Sequence, residues 1–417
     1  MYRAPRGTVD ILPAEQAYWA HVQARAAEVC RLYGYERLDT PVFEDYGLFA
    51  RSSADGTDLV EKEMYVFEDR SGQKLTLRAE NTAPICRAYV EHGMASLPQP
   101  VRLYYLGPTF RYERPQAGRY RQHHQFGCEA LGDASASLDV EVIELALRFL
   151  SSLGLQQLSI LLNSIGCRQC QPHYVDLLRS HYESLAVPVC SDCRVRMVRN
   201  PLRLLDCKEP ACRTVVDEAP RISEHLCPDC EIHFRDVQEQ LTLLGIPYAL
   251  NHKLVRGLDY YTRTVFEILP QRQGGQSAIA GGGRYDELIE QIGGRPTPGV
   301  GFATGLERII LNLKEQGITV SSPAAPAVYI AFRGDAARRA AVLVSRELRD
   351  SHIGIITSTG DRSLKAQLRH ANALGVRYAV ILGDDEVERG EAVVRDMSAN
   401  AQVAVPQASL AAYLREE

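Results

Sequence analysis

Apolar residues recur at spacings of three and four from Ala14 to Tyr33 (Tyr18, Val22, Ala26, Val29, Tyr33), and Gly34 ends the run, which predicts a helix. The next stretch, Tyr35–Glu44, reads as extended, and Pro41 inside it argues for a border strand, because proline has no N–H to give to a ladder. Alternation over Glu63–Glu68 and Gln73–Arg78, around Asp69-Arg70-Ser71-Gly72, predicts a hairpin. Val101–Leu106 and His124–Glu129 are strand candidates that flank a charged loop, Tyr112–Arg121. Helical spacing returns at Asp139–Leu150 and around Ile232–Leu244. Thr262–Leu269 alternates as a strand and runs into the glycine-dense Gly274–Gly283. Val300–Ala303 reads as a strand feeding a helix at Leu306–Leu313.

A small-residue stretch with two prolines, Ser321–Pro326, then breaks the pattern and marks a domain boundary. Beyond it, Val328–Ala331, Ala336–Arg349, Ile353–Ile356, Ser363–Leu374 and Tyr378–Leu382 alternate β-α-β-α-β, which predicts a small α/β domain with a parallel core. At 417 residues the chain has room for two or three domains. No apolar run is long enough for a membrane span, and the two early arginines have no apolar segment behind them, so the expectation is a cytoplasmic protein that does not engage a membrane. With a net charge of −5, bulk electrostatics cannot drive nucleic-acid binding; local basic patches would have to.

Two glycine patterns are rejected. Gly299, Gly301 and Gly305 have one residue too many for a dinucleotide fingerprint, and no Gly-Lys-Ser/Thr exists to form a P-loop. His352-Ile353-Gly354-Ile355 imitates a class I synthetase signature but has no KMSKS-like partner. The arginine-rich loop is more informative. Arg111–Arg121 holds four arginines and one glutamate, a local charge of +3, and the planar guanidinium suits phosphate oxygens.

The eleven cysteines are uneven: Cys30, Cys86 and Cys128 stand alone, whereas eight fall between Cys167 and Cys230. Their spacings are Cys167-x2-Cys170, Cys190-x2-Cys193, Cys207-x4-Cys212 and Cys227-x2-Cys230. Such turns set two thiolates on one side of a tetrahedral metal, so these residues predict one or two structural Zn2+ sites, with three ways of pairing the motifs left open. Apolar residues in this segment are sparse and scattered, which predicts little core of its own and gives a second reason for a metal staple.

Several blocks together resemble class II aminoacyl-tRNA synthetases, in particular the histidyl-tRNA synthetase family in its bacterial form. Pro5-Arg6-Gly7-Thr8 and the helix before Pro41 are similar to the opening and motif 1. Thr76–Thr82 (TLRAENT) and Phe110–Glu129 resemble the approach to motif 2 and motif 2 itself, and Gly301–Arg308 (GFATGLER) resembles motif 3. Leu254–Tyr261 (LVRGLDYY) and Ala280–Asp286 (AGGGRYD) resemble signatures of the histidine enzyme. The same fold serves an inert regulatory subunit of ATP phosphoribosyltransferase, expected to lack the Arg256 block and the C-terminal domain; both are present here.

The resemblance implies an α+β catalytic domain on an antiparallel sheet (1–165 and 247–320), a Cys-rich insertion (166–246) and an anticodon-binding α/β domain (327–417). It implies a homodimeric ligase that activates L-histidine with ATP and Mg2+ and then charges tRNA(His). Arg111 would meet the α-phosphate, Arg308 the γ-phosphate, and Arg256 the reacting centre, so that Arg111 and Arg256 are the catalytic candidates. Glu113 and His123 would meet the adenine. Glu80, Thr82 and Gln125 would accept the histidine ammonium, Glu129 and Tyr261 would meet the imidazole nitrogens, and Asn81, Tyr260 and Tyr285 complete that pocket. Arg114 and Gln116 are candidates for the tRNA acceptor end. Two positions depart from the family: Asn81 stands where Pro-Glu-Gly-Thr has glycine, which bears on the loop's backbone, and His123 replaces an apolar aromatic, so its protonation near pH 6.5 would matter. Charges in the last domain balance, twelve Arg/Lys against twelve Asp/Glu from Val328 to Glu417, so RNA recognition there would rest on local contacts.

Overall fold

The computed structural model describes residues 2–52, 60, 63–115, 118–184, 189–270, 278–321, 326–360, 362–399 and 401–416. The chain divides into two units, Met1–Val320 and Ser321–Glu417, and the division falls in the small-residue stretch that predicted it.

An eight-stranded sheet organises the first unit. Its order across the sheet is Glu36–Arg37, Val101–Phe110, Gln122–Leu131, Gly299–Gly305, Ala280–Arg284, Thr262–Pro270, Leu158–Ser164 and Tyr248–Leu250. The six central strands pair antiparallel, and only the two edge strands pair parallel. Because side chains alternate between the faces of a strand, each strand serves two environments. Phe126, Cys128, Val300, Phe302, Phe266 and Ile268 pack in one core with residues of the helices Gln16–Leu32, Ala136–Ser152, Pro228–Leu243 and Leu306–Glu315. Their neighbours in sequence point to the opposite face, which carries the candidate site.

A smaller antiparallel sheet joins Phe43–Asp45, Lys74–Leu77 and Val66–Glu68. The expected hairpin is its second half: the Asp69 carboxylate accepts from the Ser71 and Gln73 amides at 2.8 and 2.9 Å, and Gly72 supplies the positive φ of 84°. The single border strand over Tyr35–Glu44 is corrected to two short strands in different sheets, with Pro41 between them. Proline interrupts the ladder there, and the Arg78 guanidinium takes up the freed carbonyl of Thr40 at 2.8 Å.

The second unit holds the expected parallel core, Ile355–Thr357, Val328–Arg333 and Tyr378–Gly383. Two antiparallel strands extend it beyond the β-α-β-α-β pattern, Glu391–Asp396 and Gln402–Pro406.

The Cys-rich segment also corrects an expectation. It buries Tyr174, Leu178, Tyr182, Leu204, Leu205, Val215, Val216 and Ile222 in one cluster with Leu254, Tyr260 and Tyr285. Its apolar residues are far apart in sequence and converge through the helices Gln171–Ser184 and Arg213–Asp217 and the 3-10 turns Pro201–Asp206 and Ile222–Glu224.

Candidate active site and cysteine clusters

Two neighbouring rows of residues cross the open face of the large sheet. One runs Leu103, Glu129, Gly301, Gly283, Val265, and the next runs Tyr105, Gly127, Ala303, Gly281, Glu267. The glycines make room. A Cβ at Gly301 would lie 1.8 Å from Glu129 Oε2, and one at Gly281 would lie within 2.7 Å of the Arg256 guanidinium. A glycine-dense strand, Ala280–Arg284, is thereby a fully buried floor over which larger side chains lie flat.

Above this floor is a cavity of about 870 Å3. Glu80, Thr82, Gln125 and Glu129 line it beside Tyr260, Tyr261 and Tyr285, and so do Arg111, Glu113, His123, Arg256 and Arg308. Residues from five sequence blocks therefore meet in one place.

Glu129 lies at its deep end, 1% exposed. Thr82 Oγ1 donates to its Oε1 at 2.7 Å, and the Tyr285 hydroxyl donates to its Oε2. Burial pushes the Glu129 carboxyl up to about 8, against those hydrogen bonds. Tyr260 packs against Tyr261 and Tyr285 with ring centroids 4.9 and 5.8 Å away. Glu80 accepts from the Thr82 and Ala83 amides and so sits on the N-terminus of the Thr82–Glu91 helix, where the helix dipole favours an anion. Burial still raises its carboxyl. Asn81 has φ −110° and ψ −16°, ordinary right-handed geometry, so the loop makes no demand for glycine at this position. Its Nδ2 donates to Gln125 Oε1 at 3.2 Å, while its buried Oδ1 has no partner among the described residues.

The arginines are held from behind. Arg111 Nε donates to the Ala79 carbonyl at 2.8 Å and its Nη1 is 3.9 Å from Glu113, which Arg119 also approaches at 3.3 Å. Arg308 donates to the Ala278 carbonyl. Arg256 pairs with Glu267, an acid that sequence reasoning missed. The signal was present: in TRTVFEIL, Glu267 falls between Val265 and Leu269 on the face opposite Phe266 and Ile268. His123 is pushed down to about 3 by burial and by Arg111, so it is neutral near pH 7, and the expected sensitivity to protonation there is corrected. Arg114 is exposed and outside the cavity lining, and Gln116 lies outside the described residues.

The eight cysteines form two tetrads. Cys167, Cys170, Cys227 and Cys230 are one group, and Cys190, Cys193, Cys207 and Cys212 the other; within each, all sulfurs lie within 4.8 Å of one another. The first motif therefore pairs with the fourth, and the second with the third. All eight are free thiols. Three sulfur pairs are 3.8 or 3.9 Å apart, and Zn–S bonds of about 2.3 Å in a tetrahedron place sulfurs about 3.8 Å apart. Backbone amides of Cys167, Gln169 and Cys190 point at sulfurs at 3.3 to 3.4 Å, which suits thiolates. The donor sets fit a tetrathiolate metal.

Comparison with known proteins agrees with this geometry. The family model described as histidyl-tRNA synthetase matches residues 7–169 and 213–309, and that of an anticodon binding domain matches 327–417. A histidine–tRNA ligase of Dehalococcoides mccartyi is 56% identical over 417 residues, 100% of both chains. One of Desulforamulus reducens is 48% identical, over 99% of this chain and 98% of its own. The crystal structure of apo histidyl-tRNA synthetase from S. aureus superposes with a TM-score of 0.83 at 35% identity, covering 99% of both chains. Catalytic blocks, anticodon unit and length all agree, and the chain belongs to the histidyl-tRNA synthetase family.

Proposed function

We propose that this histidine–tRNA ligase works through the cavity on the open face of its large sheet, which brings three arginines against a pocket of buried acids and tyrosines. That convergence carries the reading. A carboxylate oxygen of histidine attacks the α-phosphorus of ATP, the bond to diphosphate breaks, and histidyl-adenylate forms. The tRNA 3′-terminal hydroxyl then attacks the histidyl carbonyl, and AMP leaves. Two anions meet in the first step, and Arg111 and Arg256 stabilise the charge that grows between them. Arg308 takes the γ-phosphate of an ATP that enters with Mg2+. Glu113 accepts from the adenine edge and His123, neutral at working pH, stacks on its face.

Glu80, Thr82 and Gln125 accept from the substrate ammonium. Glu129 and Tyr261 meet the imidazole nitrogens, with Asn81, Tyr260 and Tyr285 setting their positions. A site of this kind rejects analogues because a wrong side chain leaves a buried carboxylate unmatched. Arg114 and Gln116 are assigned to the tRNA acceptor end and the Ser321–Glu417 unit to the anticodon. Residues 1–165 with 247–320 form the catalytic domain in this scheme, and 166–246 its insertion.

Each cysteine tetrad holds one structural Zn2+, with four thiolates leaving no open position for catalysis. Cysteines that form no disulfide among the described residues suit a cytoplasmic protein, and among those residues no helix is long and apolar enough to cross a membrane. A homodimer is supported by the small sheet: Phe43 and Phe67, 55% and 43% exposed, share one face with Leu75 and Leu77. Transfer of labelled histidine to tRNA(His), dependent on ATP, tests the overall assignment. No transfer by folded protein would reject it.

A further inference from the structure

The segment around Arg256 lies outside the helices and strands, and a turn at Asp259–Tyr260 is all the regular backbone structure that residues 255–261 have. Side chains hold it instead, and two of them come from the stretch between the paired cysteines of the second tetrad. Arg203 Nη1 donates to the Arg256 carbonyl at 3.0 Å, and Asn200 Nδ2 donates to Asp259 Oδ1 at 2.9 Å. Asn200 closes the Ser191–Arg199 helix that Cys190 opens, and Arg203 sits in the 3-10 turn Pro201–Asp206 that runs directly into Cys207. The Arg203 amide donates to the Asn200 carbonyl at 3.1 Å and the Cys207 amide to the Leu204 carbonyl at 2.9 Å, so both side chains sit on one hydrogen-bonded turn. Cys207 itself lines the cavity. The histidyl-tRNA synthetase model leaves 170–212 unmatched, and the whole second tetrad lies in that gap.

We propose that Arg203 and Asn200 are positioning residues for the Arg256 loop, and that a zinc ion on Cys190, Cys193, Cys207 and Cys212 fixes the turn that presents them. This rests on the zinc reading above. The tetrad closes a loop of chain on both sides of Asn200 and Arg203. With the four sulfurs fixed, the two donors are held at their places under the loop. Without the metal the turn is tied down by its local hydrogen bonds, by the Tyr182 hydroxyl that donates to the Pro201 carbonyl at 3.4 Å, and by Leu204 and Leu205 in the core. The Arg256 guanidinium then loses its register over Gly281, and errors near 1 Å at a reacting centre cost about 100-fold in rate.

The test compares the wild-type protein with Arg203→Met, Arg203→Lys, Cys207→Ser and the Arg203→Met/Cys207→Ser double variant. Zinc is counted by elemental analysis, adenylate formation is followed by histidine-dependent ATP–pyrophosphate exchange, and histidine affinity is measured by calorimetry. Arg203→Met leaves all four thiols in place. It is expected to keep two zinc ions, hold the histidine Kd within about twofold and lose about tenfold or more in kcat. Arg203→Lys recovers part of that loss, since an ammonium can still donate to the Arg256 carbonyl. Cys207→Ser is expected to retain one zinc and to slow by a similar factor, and the double variant to be little slower than Cys207→Ser alone. A wild-type protein without zinc overturns the metal reading on which this rests. Two zinc ions with normal kcat in Arg203→Met, or losses that multiply in the double variant, overturn the coupling and leave the zinc reading standing.

Discussion

Tyr285 donates its hydroxyl to Oε2 of Glu129, while Thr82 occupies the other carboxylate oxygen at 2.7 Å. The pair joins two sequence blocks 156 residues apart at the deepest point of the cavity. Its consequence is a titration. Burial lifts Glu129 from 4.5 to about 8, so between those values the native state keeps a proton that the unfolded chain has released. Stability from this group is complete below the unfolded value and drains away as pH rises through about 8. Glu129→Gln cannot ionise. Its Tm relative to the wild type should therefore rise from about pH 5 to about pH 9, while histidine binding weakens by roughly 100-fold or more. Parallel Tm curves for the two proteins across that range would reject the assignment.

Behind Tyr285, Arg284 and Asp139 are both fully buried, with Arg284 Nε donating to Oδ1 at 2.9 Å and His233 facing Oδ2 at 2.7 Å. Despite complete burial, Arg284 and His233 hold the Asp139 carboxyl below its usual range. Removing Asp139 takes the buried counter-ion from Arg284 and leaves it Asp286, 3.1 Å away at the partly exposed end of the network. Asp139→Asn should cost about 3–5 kcal/mol in urea unfolding. A loss under about 1 kcal/mol would mean that the pair is hydrated in solution.

Arg256 lies over Gly281 with Glu267 as its counter-ion. Arg256→Ala is expected to slow pyrophosphate exchange by about 100- to 1,000-fold with a much smaller change in histidine affinity. Arg256→Lys should also be poor, because a point charge cannot bridge two oxygens as a planar fork does. Glu267→Gln should lose less, roughly tenfold, through disorder of the arginine alone. Exchange at the wild-type rate in the alanine variant would remove Arg256 from the reacting centre.

The exposed face of Phe43, Phe67, Leu75 and Leu77 makes the oligomer testable. Light scattering should give the mass of two 46.4 kDa chains, and Phe67→Glu should shift the equilibrium towards single chains by placing a charge in an apolar contact. A fully active wild-type monomer at working concentration would contradict the proposed dimer.

Much of this molecule was legible before its structure. Helical spacing found the four helices behind the sheet, and alternation found Val101–Phe110, Gln122–Leu131 and Thr262–Pro270 to within a few residues. The strand Ala280–Arg284 carries no strand signal, because Gly281, Gly282 and Gly283 have no side chains to alternate and glycine is poor in strands. The reason for them is three-dimensional: the space a Cβ would need is filled by the Arg256 guanidinium at Gly281, by the Gly301 carbonyl and Phe302 at Gly282, and by the Thr264 carbonyl and Tyr261 at Gly283. The cysteine spacings gave the donors but not the pairing, which depends on how the chain returns from Cys212 to Cys227. The core of the same segment escaped for a similar reason. Tyr174 and Val215 share a cluster with Tyr260 only after folding.

The most direct test is histidine-dependent ATP–pyrophosphate exchange by purified wild-type protein, run with each of the common amino acids in turn. The account predicts exchange with histidine alone, lost on Glu129→Gln and on Arg256→Ala. A folded protein that binds histidine yet catalyses no exchange would contradict it.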